Sequence, residues 1–467
     1  MLPFTLAEAA ITMGARHIFS VRPWEMVTSA TQDSRLVQPG SLFFALPGNH
    51  VDGHNYVQDA HDKGAIAAVV ERLLSQPIPQ LLVPSTLVAF GDLARAYRAR
   101  FDIPVVSVTG SVGKTSTKEL IAHSISGALR THKSRKNFNN QLGVPIELFL
   151  LDRSHQVSVV ELAMRGPGEI GYLARIARST IAVITNIGMS HIEQLGSREA
   201  IATAKSEVLT YLDSEAVAVL NRNDDFFEFL RRRARCRVIS FGHNSDADFR
   251  ITQLRYSASG NPSFMINGVA VTMESAMGAH HAENAAAAFA VTSVLNIPAE
   301  DVSERMRTFR TPERRGVFST AKSGAMILDS TYNAAPDSMK ASLATLSGLR
   351  GRGVHTVAVL GDMQELGIFS KEAHQYVGEL VKANPVDVLI TVGTDSRLIG
   401  EKAGIATWQH FSDADEAASY VLAAAEGEHK CVLVQGARGL YLEIVIEALE
   451  SGHLSLLPKS APPHSAS

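Results

Sequence analysis

Val105-Val106-Ser107-Val108-Thr109-Gly110-Ser111-Val112-Gly113-Lys114-Thr115-Ser116 is the stretch on which the fold turns. A short β-branched run reads as a buried strand, and the glycine-rich turn after it opens onto a helical pattern. Leu120, Ile121, Ile125 and Leu129 recur at three- and four-residue steps, so one face of that helix is apolar. Strand, glycine loop and helix N-terminus together make an anion site. Backbone N–H groups point at a phosphate and the helix dipole favours its charge. Thr109 to Ser116 therefore predict an ATP-binding loop, with Lys114 reaching the β/γ-phosphates and the Thr115 hydroxyl sitting on Mg²⁺. The general P-loop pattern wants a glycine five positions before Gly113, where this chain has Val108. Its glycine is Gly110, which gives the compressed form G-x-x-G-K-T.

At 467 residues the chain is too long for one core, and length over ~150 suggests about three domains. With 45% hydrophobic and 19% charged residues it has the composition of a soluble globular protein. A net charge of −3 argues against a general nucleic-acid binder. Arg231-Arg232-Arg233 with Arg235 and Arg237 is the one dense basic run, and it reads as a solvated helix face. Cys236 and Cys431 lack a C-x-x-C and a histidine partner, which suits a reducing compartment. No leader or membrane span is legible, so a cytoplasmic protein is expected, with a monomer as the default.

Three α/β segments follow one another. Residues 1–102 alternate short strands (Ser41–Leu46, Ala65–Val70) and helices, with turn chemistry at Gln38-Pro39-Gly40 and Leu46-Pro47-Gly48-Asn49 and a helix from Leu87 to Arg100. Residues 103–312 carry the P-loop and further apolar runs that end in polar residues. Val157–Val160 stops at Glu161, and Ile181–Ile184 stops at Thr185-Asn186 with His191 just beyond. Parallel strands buried on both faces look like this, and ligands in such sheets bind beyond the strands' carboxyl ends. Glu161 and His191 are thus expected beside the phosphates. Residues 313–455 predict strands at Met326–Leu328, Thr356–Leu360, Val388–Val392 and Cys431–Val434, and 456–467 a flexible tail.

Several loops agree on one family. Thr109–Thr115, the cluster Asn137-Phe138-Asn139-Asn140-Gln141-Leu142-Gly143-Val144-Pro145, and Thr185-Asn186-Ile187 with His191 resemble the Mur ligases. Leu328–Met339, Leu360–Gly367, and Gln32-Asp33-Ser34-Arg35 with Asp52-Gly53-His54 resemble the member of that family that adds D-alanyl-D-alanine to UDP-N-acetylmuramoyl-tripeptide. The resemblance covers the chain short of its tail. It implies a small UDP-binding first domain, a central P-loop ATPase domain with a parallel sheet, and a C-terminal Rossmann-like domain that takes the incoming dipeptide and closes on ATP. It also implies an ATP- and Mg²⁺-dependent amide ligase working through an acyl phosphate, with small-molecule substrates and no nucleic acid.

Residue by residue, the resemblance makes Lys114, Glu161, His191 and Lys205 catalytic. Thr115, Glu161, His191 and a carbamylated Lys205 would be metal ligands. Asn284, with His281, lies in the adenine-contacting segment; Arg315 contacts the γ-phosphate and Asp329 the ribose, and Tyr332 and Asn333 follow in the nucleotide-facing loop. The family has glycine before that arginine where this chain has Arg314, so either arginine is open, with Arg315 preferred. Ser34, Arg35, Phe44, Asp52, Gly53 and His54 match the uridine diphosphate surroundings; an arginine suits a diphosphate. Asn139 and Asn140 have amides able to meet a substrate, a turn role being equally open. The family's Lys-Gly-Ser-Arg is here Gln435-Gly436-Ala437-Arg438, which leaves dipeptide preference open. Rival readings are the sister ligase adding the third residue, folylpolyglutamate synthase, and a nucleotide-gated binding protein that has lost ligation. The missing Asp-Asn-Pro-Arg stretch, the first domain and Asp362-Met363-Gln364-Glu365-Leu366-Gly367 disfavour the first two.

Overall fold

The computed structural model describes residues 1–19, 22–48, 50–257 and 260–454. Asn49 of the predicted turn and the tail from 455 lie outside the described residues. Beside a two-stranded antiparallel pair, Phe4–Thr5 with Met26–Val27, three larger sheets follow in chain order among the described residues, each with helices packed on it, as mixed α/β domains. The first has five strands ordered His17–Phe19, Gln80–Leu82, Ala65–Val70, Ser41–Phe44, Ser29–Thr31, parallel except for the first pair. Helix α1 (Thr86–Arg98) covers it, starting at a Ser85 cap. Its far end is tied to the next domain by Arg98, whose guanidinium donates to the carbonyls of Phe101 (2.5 Å) and Ile103 (2.7 Å).

The second sheet has nine strands. Strand β1 (Val105–Thr109) lies between β2 (Val157–Glu161) and β3 (Ile181–Ile184), all parallel and buried. The register sets Glu161 opposite Val108 and Ile184 opposite Thr109, so the two polar-ended strands finish beside the P-loop. Helix α2 (Lys114–Ile125) follows the loop; Leu120, Ile121 and Ile125 are buried, whereas Leu129 lies beyond the helix end. Helices α3 (Arg198–Thr210) and α4 (His280–Val294) complete the layers. Phe249–Tyr256, Pro262–Ile266 and Val269–Thr272 extend the sheet as an antiparallel edge. That edge has no clear signal in the sequence, because its alternation of buried and exposed residues carries no continuous apolar run.

The third sheet has β4 (Met326–Ser330), β5 (His355–Gly361) and β6 (Lys430–Gln435) at its centre, with β6 between the other two. Helix α5 (Pro336–Arg350) leaves β4 on one face. One apolar core runs through all three domains, from Phe44 and Phe90 through Leu173 and Ile201 to Leu343 and Val377, so they are packed together. Arg231, Arg232 and Arg233 form the exposed end of a helix, as expected. Both cysteines are free. Among the described residues no helix is long and apolar enough to cross a membrane.

Buried His132, its Nδ1 2.9 Å from Ser158 Oγ, is pushed down to about 4 by burial, then by His155 and Arg135. The folded state therefore binds fewer protons than the unfolded chain between pH 6.5 and about 4, and stability falls as pH falls through that window. The loss reaches about 3 kcal/mol at the acid end. Urea midpoints across that range should show it, and His132→Gln should flatten the slope.

Candidate active site

The P-loop is held from the neighbouring strand end. Thr185 Oγ1 donates to Val112 O (2.7 Å), Val112 N–H donates to Asn186 Oδ1 (3.0 Å), and Ser111 N–H donates to Asn186 O (2.9 Å). Gly110 runs at φ +148° and a Cβ there would overlap Thr185 Oγ1, so the compressed motif needs its glycine. Lys114 Nζ donates to the carbonyls of Gly110 (2.9 Å) and Ser111 (3.0 Å). Burial pulls its ammonium pKa down, Glu161 opposes that, and Arg315 and Glu365 are near enough to act in opposite directions. Two of those four groups come from the C-terminal domain.

Glu161 is 2% exposed and takes a hydrogen bond on each oxygen, from Thr115 Oγ1 (2.7 Å) and Asn139 Nδ2 (2.8 Å). A hydroxyl and a carboxylate beside the phosphate loop are hard oxygen donors, which fits Mg²⁺. Among the described residues no three His, Cys, Asp or Glu side chains gather as a ready-made metal cluster. His191, in the left-handed region at φ +66°, instead meets Glu365. Nδ1 and Oε2 are 2.6 Å apart, a close polar contact between the central and C-terminal domains. The His191 contact, together with Arg165 and Lys114, holds the Glu365 carboxyl below its usual range. Lys205 is 1% exposed and its Nζ donates to Gly110 O (2.9 Å), the carbonyl that Lys114 also uses. Burial, then the Lys114 charge, pushes its pKa well below that of an ordinary lysine.

On the nucleotide side, Thr117 Oγ1 donates to Asn284 Oδ1 (3.0 Å), while Asn284 Nδ2 and both ring nitrogens of His281 are buried without partners. Buried polar atoms left unpaired call for a partner, and a polar ligand bound there would supply one. The two candidate arginines separate. Arg314 sits at φ +58° and pairs with Glu443 (3.1 Å), whereas Arg315 lies 3.8 Å over the Tyr332 ring and faces the Lys114 region. Asp329 Oδ1 accepts from Thr331 N–H (2.9 Å) and Oγ1 (2.7 Å), and Asn333 is exposed.

The first-domain residues make their contacts among themselves. Arg35 is exposed and pairs with Asp33 (2.7 Å); the Ser34 carbonyl accepts from Lys63 Nζ (3.2 Å). Asp52 binds Arg72 (2.7 Å) and His54 Nδ1 (2.6 Å), and His54 Nε2 accepts the Glu71 N–H (3.0 Å). His54 is thus a buried brace. Gly53 is packed so tightly that a Cβ would lie 2.6 Å from the Leu46 nitrogen. Phe44 is fully buried, its ring edge-on to Phe90 at 4.8 Å, so its side chain belongs to the core of the first domain. Asn140 spends its oxygen on the N–H groups of Leu142 (3.2 Å) and Gly143 (2.8 Å), a turn role. Gln435 is buried, with Nε2 donating to Ser338 Oγ (2.9 Å) and Oε1 unpaired. Glu365, Arg165, Asp337 and Gly188 do not stand out as site residues in the sequence. Only the positive φ of Glu365 marks one of them locally, and sequence does not display it.

Profiles of the Mur ligase family catalytic domain, the Mur ligase middle domain and the Mur ligase glutamate ligase domain match residues 27–114, 108–292 and 313–438. A UDP-N-acetylmuramoyl-tripeptide–D-alanyl-D-alanine ligase of Synechocystis is 38% identical over 83% of this chain and 84% of its own. The Bacillus subtilis enzyme of the same name is 32% identical over 92% and 94%. The crystal structure of MurF from Acinetobacter baumannii superposes with a TM-score of 0.89 at 29% identity, covering 96% of this chain and 99% of that one. MurF ligase from Thermotoga maritima, in complex with ADP, superposes at 0.83 with 27% identity, covering 91% and 97%. With three family profiles matched in chain order and relatives 32% and 38% identical over most of both chains, the chain belongs to the Mur ligase family.

Proposed function

We propose that this chain joins D-alanyl-D-alanine to UDP-N-acetylmuramoyl-tripeptide at the expense of ATP, giving the pentapeptide, ADP and phosphate. The observation that carries the reading is the meeting of Lys114, Thr115 and Glu161 of the central domain with Arg315 and Glu365 of the C-terminal one. A ligase of this kind must bring two anions together, so cations have to face the triphosphate from both sides. Lys114 and Arg315 supply that neutralisation, and Arg315 is oriented by its stack on Tyr332. Thr115 and Glu161 would hold Mg²⁺, which adds charge neutralisation at the phosphates. His191 and Lys205 are proposed at a second ion, Lys205 as its carbamate.

The tripeptide carboxylate attacks the γ-phosphorus and ADP leaves. The dipeptide amine then attacks the acyl carbon, the tetrahedral intermediate collapses, and phosphate departs. The acyl phosphate must be kept from water, and the closed packing of the domains around Lys114 serves that end. His281 and Asn284 offer their unpaired polar atoms to adenine, and Asp329 and Asn333 lie on the ribose side. Ser34, Arg35 and the Asp52–His54 loop bind the uridine diphosphate, and Asn139 reaches the substrate from beside Glu161. The domains are proposed as 1–102, 103–312 and 313–455.

Phosphate release from ATP with Mg²⁺, the UDP-tripeptide and D-alanyl-D-alanine, each omitted in turn, tests the reading. Release that needs all of them, with a product heavier by the dipeptide less water, is the expected result. Release without a dipeptide requirement, or none with the complete mixture, overturns it.

A further inference from the structure

The loop after β3 faces two ways. On one side the Gly188 N–H donates to Ser111 Oγ (2.8 Å) within the P-loop. On the other the Met189 N–H donates to Asp337 Oδ2 (3.2 Å), a carboxylate in the first turn of α5 in the C-terminal domain. The two contacts meet at Gly188. A Cβ added there would overlap Asp337 Oδ2 and lie 2.7 Å from its Cγ. The backbone itself does not call for glycine, because Gly188 is outside the left-handed region that favours it. What keeps this position bare is the carboxylate arriving from the other domain.

The turn that carries that carboxylate is braced. Ser338 Oγ accepts the Ala335 N–H (3.0 Å) and donates to Ala335 O (2.9 Å), closing the start of α5, where Pro336 already presets the backbone. Gln435, at the end of β6, donates to the same oxygen (2.9 Å) and ties the turn to the centre of the sheet. A carboxylate carried on a braced turn and seated in a notch one side chain deep distinguishes the docked position from an undocked one.

We propose that Asp337 is a positioning residue that docks in the Gly188 notch as the C-terminal domain closes, and so couples closure to the wall of the phosphate loop. Its effect on turnover rests on the ligase reading; its effect on closure does not. Gly188→Ala fills the notch and stops the domain short, leaving Arg315 and Glu365 out of place at Lys114. Misplacement by an ångström is worth about 10²-fold in kcat. Asp337→Ala removes the hydrogen bond and the obstacle together, and costs about tenfold.

The test compares wild type, G188A, D337A and the double variant by small-angle scattering with Mg²⁺ and a non-hydrolysable ATP analogue, by thermal melting, and by ligation kinetics. G188A is expected to melt like wild type, to fail to compact with nucleotide, and to lose kcat far more than its KM for ATP rises. In the double variant, compaction and kcat should return to the D337A level, because the overlap is gone. A G188A protein that compacts and turns over like wild type overturns the proposal, as does a double variant no better than G188A alone. Wild type that compacts but does not ligate, with G188A still blocked, would remove the ligase reading and leave the latch standing.

Discussion

Lys114→Ala is expected to lower phosphate release by about 10³-fold in the complete reaction mixture while the protein stays folded. The side chain is half-buried in the loop, and desolvation already works against its charge. The folded chain tolerates it through the Gly110 and Ser111 carbonyls and the nearby Glu161, and that arrangement suits a triphosphate better than it suits the protein alone. Removing the side chain therefore removes charge stabilisation that the transition state uses and the fold does not. Single-turnover phosphate release beside a thermal melt separates the two. Activity within tenfold of wild type would shift the role to Arg315, and a collapsed melt would make Lys114 a structural residue.

Lys205→Ala is expected to cost about 10²-fold in kcat, with partial recovery on adding formate or another short carboxylate. A lysine is an unfavourable choice for this site unless it is changed chemically. It is buried, shares the Gly110 carbonyl with Lys114, and is held well below an ordinary lysine by burial and by that second cation. An amine that gives up its proton more readily can add CO₂ and release a proton, and the carbamate formed is an anion beside Lys114 in place of a competing cation. Intact mass under CO₂ should show the adduct on wild type and not on Lys205→Ala. The stability sign runs the other way from function. The folded state binds fewer protons at Lys205 than the unfolded chain does, so the uncarbamylated site costs more as pH falls below the lysine range. Lys205→Met should accordingly gain most over wild type on the acid side. Equal activity with and without the side chain would return Lys205 to a packing role.

Much of this protein is legible in its amino-acid sequence. The P-loop announces itself because a parallel strand, two glycines and a helix start are local, each dictated by nearest neighbours along the chain. Glu161 and the Thr185-Asn186 pair can be placed beside the phosphates because strands buried on both faces end where their apolar runs end. The strands of the C-terminal sheet are likewise marked by continuous apolar runs. The antiparallel edge at 249–272 is not, since its strands expose one face and break the run.

Side-chain roles follow a different rule. Phe44, Asn140 and His54 match binding motifs by position, and the fold also gives the first a place in the core, the second a turn and the third a brace, none of which the letters display. Arg314 and Arg315 are indistinguishable as letters; a positive φ and Glu443 turn the first away, and Tyr332 holds the second toward Lys114. By itself the sequence determined the kinds of domain, the phosphate loop and the chemistry on offer, because strand burial, glycine turns and helix starts depend on residues within a few positions. Only the tertiary structure decided that Glu365 meets His191, that Asp337 fills the space above Gly188, and that two lysines share one carbonyl. The first two contacts join surfaces of different domains and the third joins strand-end and helix residues of one domain, and no local pattern encodes the distance between surfaces that meet only after folding.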